Sequence, residues 1–428
     1  MGSQTHRPTR RDFLAQAATA GALAGSTTAS AAGPGPTDKG ETVAPARRTL
    51  NANDKVRCGI IGAGGRGSSL LQETLRRDDV LVVAVCDAYD VWRDRAVNWC
   101  KDRYPAVGGY HLYEEMLAAE NLDALIIATP DHIHADAAMA ALGQGLDVYV
   151  EKPMTLTTED AAALRARAVE TGGIVQVGTQ LRSTDIYQRG KELYQSGTIG
   201  TLVEVQVNRH MADGMVSYNA PPAEANASNV QWDEFLHGTK RYRFDPRRFF
   251  QWRQFREYSN GIIGDFMTHH LDAFHFITEC GMPERAMSMG GIYHYDDGRT
   301  VPDTLSSVLS YSEGFQFNYT TTLVNGHYGI VERYLGSDGV LEFTGMGVLK
   351  VIKRDFENVF ESDGPDTKSH LANFFDCVRS RQAPIAPIEA GFQCAASCHM
   401  AVQSERTGEA IAWDPDQKNT KQRRKRKG

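Results

Sequence analysis

Two short stretches hold residues whose types and spacing suit chemistry. The first is Gly62-Ala63-Gly64-Gly65-Arg66-Gly67, a G-x-G-x-x-G pattern directly after the apolar run 56–61. Such glycines permit a tight turn, let backbone approach a diphosphate, and let the next helix pack on its strand. The start of that helix then turns free N–H groups and a positive dipole end toward the anion. A second apolar run, 80–86, ends in Asp87, 20 residues after Gly67. A carboxylate there accepts hydrogen bonds from the ribose hydroxyls of an adenosine. The other stretch is 259–272, SNGIIGDFMTHHLD. Asp265 and His269 are four apart, so on a helix starting after Gly264 they share one face. A carboxylate beside an imidazole orients it and raises its basicity, which suits a general base for a hydroxyl proton. His270 reads as a core histidine.

These residues need elements to hold them. Apolar runs at 56–61, 80–86, 122–128, 147–150 and 174–177 alternate with helical patterns at 91–103, 134–142 and 157–170. That order predicts a parallel, doubly wound sheet with its ligand crevice at the carboxyl ends of the strands. Those ends carry Gly62–Gly67, Asp87, Thr129-Pro130-Asp131-His132-Ile133-His134, Glu151-Lys152-Pro153 and the run 178–182, which holds Gln180 and Arg182. After residue 179 the pattern changes. Runs at 202–210, 287–294, 305–311, 315–323 and 340–343 follow one another with Gly and Asp turns, which predicts a mainly antiparallel sheet. Its open edges need covering, so a homodimer or homotetramer is expected. The segment 247–258, RRFFQWRQFREY, offers aromatic faces to a sugar ring, with Trp252 and Arg253 as the pocket wall; a packed loop is an equally open reading.

Composition sets the boundaries. At 428 residues the chain is too long for one ordinary domain. The net charge is −7, yet basic residues gather at the two ends, leaving residues 32–417 near −16. An acidic body argues against nucleic acid as a partner, and no apolar run approaches a membrane span. Arg10-Arg11, a weakly apolar Ala-rich stretch and Ala29-Ser30-Ala31 read as a twin-arginine export signal over 1–31, which places the mature chain in the periplasm or outside the cell. Residues 32–54 read as a linker and 413–428 as a basic tail. The seven cysteines show no C-x-x-C pair, and the histidines 269, 270 and 275 lack the i,i+4 spacing of a zinc site, so neither a disulfide scaffold nor a metal is expected. No G-x-S-x-G points to a serine hydrolase.

The glycine loop, ATPDHIH and above all VEKP resemble the glucose–fructose oxidoreductase, inositol dehydrogenase and MocA family, over about residues 55–410. The resemblance implies an α/β fold: a Rossmann dinucleotide-binding domain at 55–178, then an α+β substrate domain at 179–412 built on a large, mainly antiparallel open sheet. It implies that Lys152 lies beside the nicotinamide and the substrate hydroxyl, and that Asp265 and His269 serve as substrate ligand and acid/base. The family often has Gly two residues after the Asp; this chain has Met267. The expected cofactor contacts are Gly62, Gly64, Gly65, Arg66, Gly67, Asp87, Thr129, Pro130, His134, Glu151, Lys152 and Gln180. The expected substrate contacts are Arg182, Trp252, Arg253, Asp265 and His269. Asp87 favours NAD, while Arg66 and Arg93 offer counter-charge that would admit NADP. The implied activity is NAD(P)-dependent oxidation at a carbinol of a sugar, polyol or glycoside, with tightly bound cofactor. Two other readings stay open: an NAD-dependent glycosidase working by transient oxidation and elimination, and a non-catalytic dinucleotide-binding sensor.

Overall fold

The computed structural model describes residues 48–51, 53–212, 220–345, 347–361 and 368–415. The export signal, most of the linker and all but three residues of the basic tail lie outside them. Among the described residues no helix is long and apolar enough to cross a membrane, and no group of three or more His, Cys, Asp or Glu is placed to hold a metal ion.

The first sheet is parallel and six-stranded: β1 (Val56–Ile61), β2 (Val80–Cys86), β3 (Gly108–Tyr110), β4 (Ala124–Ile127), β5 (Asp147–Glu151) and β6 (Val175–Gly178), in the order β3-β2-β1-β4-β5-β6. Its central strands are apolar apart from Arg57, because helices cover both faces. On one face the helix Gly65–Leu75 seats Leu70 and Leu71 against Val56, Val80 and Val82. The order reverses between β1 and β4, so the crevice opens beyond the ends of those two strands, where the glycine loop and Thr129 stand. β3 escapes a reading by apolar runs, since it is only Gly-Gly-Tyr.

The second sheet has nine strands: β7 (Leu202–His210), β8 (Arg285–Gly291), β9 (Thr304–Ser310), β10 (Gln316–Thr322), β11 (Ile330–Gly336), β12 (Val340–Thr344), β13 (Val348–Lys353), β14 (Phe356–Glu361) and β15 (Ile411–Ala412). The order is β14-β13-β12-β11-β7-β10-β9-β8-β15, antiparallel except for the β7–β10 pair. Its inner face packs on the helix Thr268–Thr278, with Leu271, Phe274 and Ile277 meeting Phe317, Tyr334 and Phe343.

One helix of the second domain's stretch packs on the first domain: Leu371, Phe374, Phe375 and Val378 of the helix Lys368–Ser380 enter its core, beside Val56 and Tyr149. Burying such Phe side chains stabilises by about 2–3 kcal/mol each, which fastens the chain's C-terminal part to the nucleotide domain.

Candidate functional site

The glycine loop takes the shape its sequence demands. Gly62 has φ +86°, and a Cβ there would meet the Ala128 carbonyl oxygen at 2.5 Å. A Cβ on Gly67 would overlap the Gly62 carbonyl, so only glycine lets the helix Gly65–Leu75 close on β1. At Gly64 a Cβ would press on the Trp92 ring at 2.8 Å, whereas Gly65 faces open space. Gly64 thus gives room to Trp92, and Gly65, the first residue of the helix, leaves the loop open on its free side. Asp87 braces this loop: Oδ2 accepts the Ala63 N–H at 2.6 Å and Oδ1 accepts the Tyr89 N–H at 2.8 Å. Burial pushes its acid up to about 6 against the pull of those N–H groups.

Above the loop lies a cavity of about 520 Å³, walled by Gly62, Gly64, Gly65, Arg66, Asp87, Trp92, Thr129 and Pro130 on one side. Phe235, His237, Phe249 and Trp252, from the segment between the sheets, close it on the other. This segment resolves the two readings of the aromatic run. Phe249, Phe250 and Phe255 pack with Tyr89 and Tyr258, while Trp252 and Arg253 face the cavities. Arg66 and Arg93 are committed elsewhere: Arg66 Nε donates to Glu151 at 2.7 Å, and Arg93 pairs with Asp90 and Asp94.

A second cavity of about 290 Å³ adjoins the first, sharing Arg66, Thr129, Trp252 and Arg253 with it. Lys152 stands on its wall just past β5, and its peptide bond to Pro153 is cis. Facing it is Asp265, in a π-helical turn Ile263–Met267 that leads into the helix Thr268–Thr278. Lys152 Nζ donates to Asp265 Oδ1 at 2.6 Å and to the Asp265 carbonyl at 2.7 Å; Arg253 Nε approaches Oδ1 at 3.3 Å. Burial opposes ionisation of Asp265, but these two cations win and hold its acid far below the usual carboxylate range. His269 lines the same cleft. Burial first, then Lys152 and Arg209, push its pKa well down, so its imidazole is neutral and a weaker base than the carboxylate pairing expected from the sequence would have made it. Met267 turns into the core, so its departure from the family pattern leaves the cleft wall unchanged.

Several expectations are corrected. Asp265 does not pair with His269, whose Nδ1 has no hydrogen-bond partner. In a buried site the carboxylate goes to full cations rather than to a neutral ring. Arg182 is turned away from the cleft and forms a buried bidentate pair with Asp272, at 2.6 and 2.9 Å. His134 does not reach either cavity: its ring sits against the carbonyls of Pro153 at 2.8 Å and Thr129 at 2.9 Å, bracing two turns of the crevice. Glu151 and Gln180 do line the cleft, bonded to each other at 2.9 Å. His270 is a core residue, held by Glu332 at 2.8 Å.

Two cleft residues were not among the expected contacts. Asp131 opens the helix Asp131–Gly143 and points a buried carboxyl into the cleft. Arg209 follows the buried Val205 and Val207 at alternate positions of β7, so it occupies an inward place where an apolar side chain belongs. That break in alternation was the available signal.

Comparison with known proteins gives two family matches. The oxidoreductase family NAD-binding Rossmann fold of Gfo/Idh/MocA proteins matches residues 56–179, and its C-terminal alpha/beta domain matches residues 235–412. A glycosyl hydrolase family 109 protein of Stenotrophomonas maltophilia is 31% identical over 186 residues, 42% of this chain and 41% of that protein. The scyllo-inositol 2-dehydrogenase (NAD(+)) of Bacillus subtilis is 31% identical over 153 residues, 34% of this chain and 42% of that protein. The chain thus matches these curated relatives over about two fifths of their length. An inositol dehydrogenase homolog from Azotobacter vinelandii, solved with NADH and myo-inositol, superimposes with TM-score 0.64 at 18% identity, covering 84% of this chain and 98% of that one, which is a likeness of fold.

Proposed function

The chain belongs to the Gfo/Idh/MocA oxidoreductase family, and from that premise and the geometry of the cleft we propose that it oxidises a carbinol of a sugar or polyol with NAD held in the glycine-loop cavity. The cradle suits a dinucleotide: open space over Gly65, a helix N-terminus beneath it, and a carboxylate at Asp87. A nicotinamide dinucleotide held by the glycine loop and Asp87 would supply the hydride acceptor. The chain's own groups do the rest. Lys152 Nζ, anchored by Asp265, donates to the carbinol oxygen and stabilises negative charge on it. His269, on the same cleft wall, takes the hydroxyl proton. Asp265 stays ionised, so Lys152 keeps its place and charge.

One observation carries this reading: the Lys152–Asp265 contact at 2.6 Å, made beside His269 in a cleft continuous with the glycine-loop cavity. The test is to purify the protein without added cofactor, record its near-ultraviolet spectrum, and add sugars and polyols. Growth of the reduced-nicotinamide band on addition supports the proposal; a protein without cofactor, inert with NAD supplied, refutes it. Tight retention is supported by Phe235, Phe249 and Trp252 closing over the cavity.

A second reading is redox-assisted glycoside cleavage, favoured by the likeness to the family 109 glycosyl hydrolase. Oxidation acidifies a neighbouring C–H, the glycosidic bond is eliminated, and the cofactor is restored. Released aglycone without net reduction separates it from the first. The sensor reading is opposed by Lys152, Asp265 and His269, which nucleotide binding alone does not require.

Export to the periplasm is supported by Arg10-Arg11 and Ala29-Ser30-Ala31. Self-association through the second sheet is supported by Met287 and Val308, cross-strand neighbours that are both exposed on its outer face, with Met289 beside them. Light scattering tests it: a monomer at micromolar concentration would exclude this contact.

A further inference from the structure

Three polar atoms of residues in the smaller cleft have no hydrogen-bond partner: Asp131 Oδ2, Arg209 Nε and His269 Nδ1. Folded proteins satisfy nearly all such buried groups, because an unmade bond leaves the cost of desolvation uncompensated. None of the three atoms opens onto the cleft; they show a wall with more polar capacity than its own residues satisfy.

The charges point the same way. Arg66 is matched by Glu151 at 2.7 Å. Lys152 and Arg253 share the single carboxylate of Asp265, at 2.6 and 3.3 Å. Arg209 makes no ion pair among the described residues. Its guanidinium lies 4.3 Å from the centre of the Phe266 ring, and Nη1 is 3.4 Å from His270 Nε2. His270 in turn gives its other nitrogen to Glu332 at 2.8 Å, so the nearest carboxylate on that side is one residue removed. Asp131 offsets Arg209 only in part at neutral pH, since burial pushes its acid up to about 7 and Asp265 adds to the effect, against Arg253 and Lys152. A partly buried cleft with surplus cation favours an anionic ligand.

We propose that the substrate is a sugar acid of monosaccharide size, its carboxylate on Arg209, one hydroxyl on Asp131, and its reacting carbinol between Lys152 and His269. The assignment rests on the oxidoreductase reading above and names its substrate class. A cleft of about 290 Å³ suits one sugar ring. A carboxylate fits better than a phosphate, because one planar guanidinium matches a carboxylate's two oxygens.

The experiment uses the purified protein with its bound cofactor. Glucuronate, galacturonate and gluconate are compared with glucose, galactose and glucitol, by calorimetric binding and by cofactor reduction. The expected result is at least one acid with kcat/KM roughly 10²-fold above its neutral partner. Arg209→Met then erases that ratio, mainly through KM, and Arg209→Lys restores part of it, which separates lost charge from lost fold. Equal use of acids and neutral sugars, or a ratio unchanged in Arg209→Met, overturns the sugar-acid assignment and leaves the oxidoreductase reading standing. Arg209-dependent binding of an acid with no reduction by any compound does the reverse: the ligand class stands and the oxidoreductase reading falls.

Discussion

Lys152 Nζ lies 2.6 Å from Asp265 Oδ1, although the two residues are 113 apart in the chain. One stands at the end of a parallel strand and the other in a π-helical turn beneath the second sheet. Their side chains are only 13% and 9% exposed. The pair therefore joins the two domains and aims a cation into the cleft. Such π turns recur at functional sites, where they re-aim a side chain without breaking the helix.

This pairing makes a prediction about coupling. Asp265→Asn leaves Lys152 as an uncompensated, mostly buried charge, which costs about 3–5 kcal/mol of stability. In a double-mutant cycle, Lys152→Met and Asp265→Asn lose far less turnover together than the product of their single losses. Asp265 and His269, which share no hydrogen bond, come closer to multiplying. Strong coupling of Asp265 to His269, with none to Lys152, would mean the pairing is misassigned. The Asp265 acid is depressed in the folded state, so its contribution to stability is present above the ordinary carboxylate range and is lost as pH falls toward its folded value.

Asp131 behaves in the opposite sense. Its folded acid is raised to about 7, so between the ordinary carboxylate range and pH 7 the native state holds a proton that the unfolded state has released. Stability from this group is full at low pH and declines as pH rises through its folded value. Asp131→Asn should therefore melt higher than the parent at pH 8, with the gap closing toward pH 5. Melting curves across that range check it, and a gap that widens on acidification would contradict the assignment.

Much of this site was legible because its residues break local rules. Gly62 needs a positive φ, Lys152 sits at the end of a buried strand, and both can be read from a few neighbours. What stayed hidden depends on contacts between distant segments. Asp265 chose Lys152 over His269 because the first domain delivers a full cation to it. Arg182 is a cation at a strand end, like Lys152, but Asp272 takes it into the core. β11 was missed because Glu332 fills an inward position, where it holds His270, Tyr187 and Tyr334. The docking of Phe374 on the nucleotide domain follows from tertiary packing, which helical periodicity does not reveal.

Cofactor choice follows from the glycine loop. Asp87 puts a carboxylate on the wall of the glycine-loop cavity, which would repel a 2′-phosphate, and Arg66 and Arg93 are engaged by acids of their own. Mass spectrometry of the cofactor released on denaturation should find NAD; NADP as the main species would refute this.

Export rests on Arg10 and Arg11. Replacing both with lysine should leave an uncleaved precursor inside the cell, detected by fractionation and N-terminal sequencing. Normal export of that variant would remove the twin-arginine assignment.

The central claim is that His269 receives the hydroxyl proton beside Lys152, and single-turnover reduction of bound cofactor by a competent sugar or sugar acid tests it most directly. His269→Ala should keep its cofactor, since the glycine loop supplies that affinity, while the reduction rate falls by roughly 10²–10⁴-fold. Reduction at the parent rate would contradict the account and return His269 to a structural role.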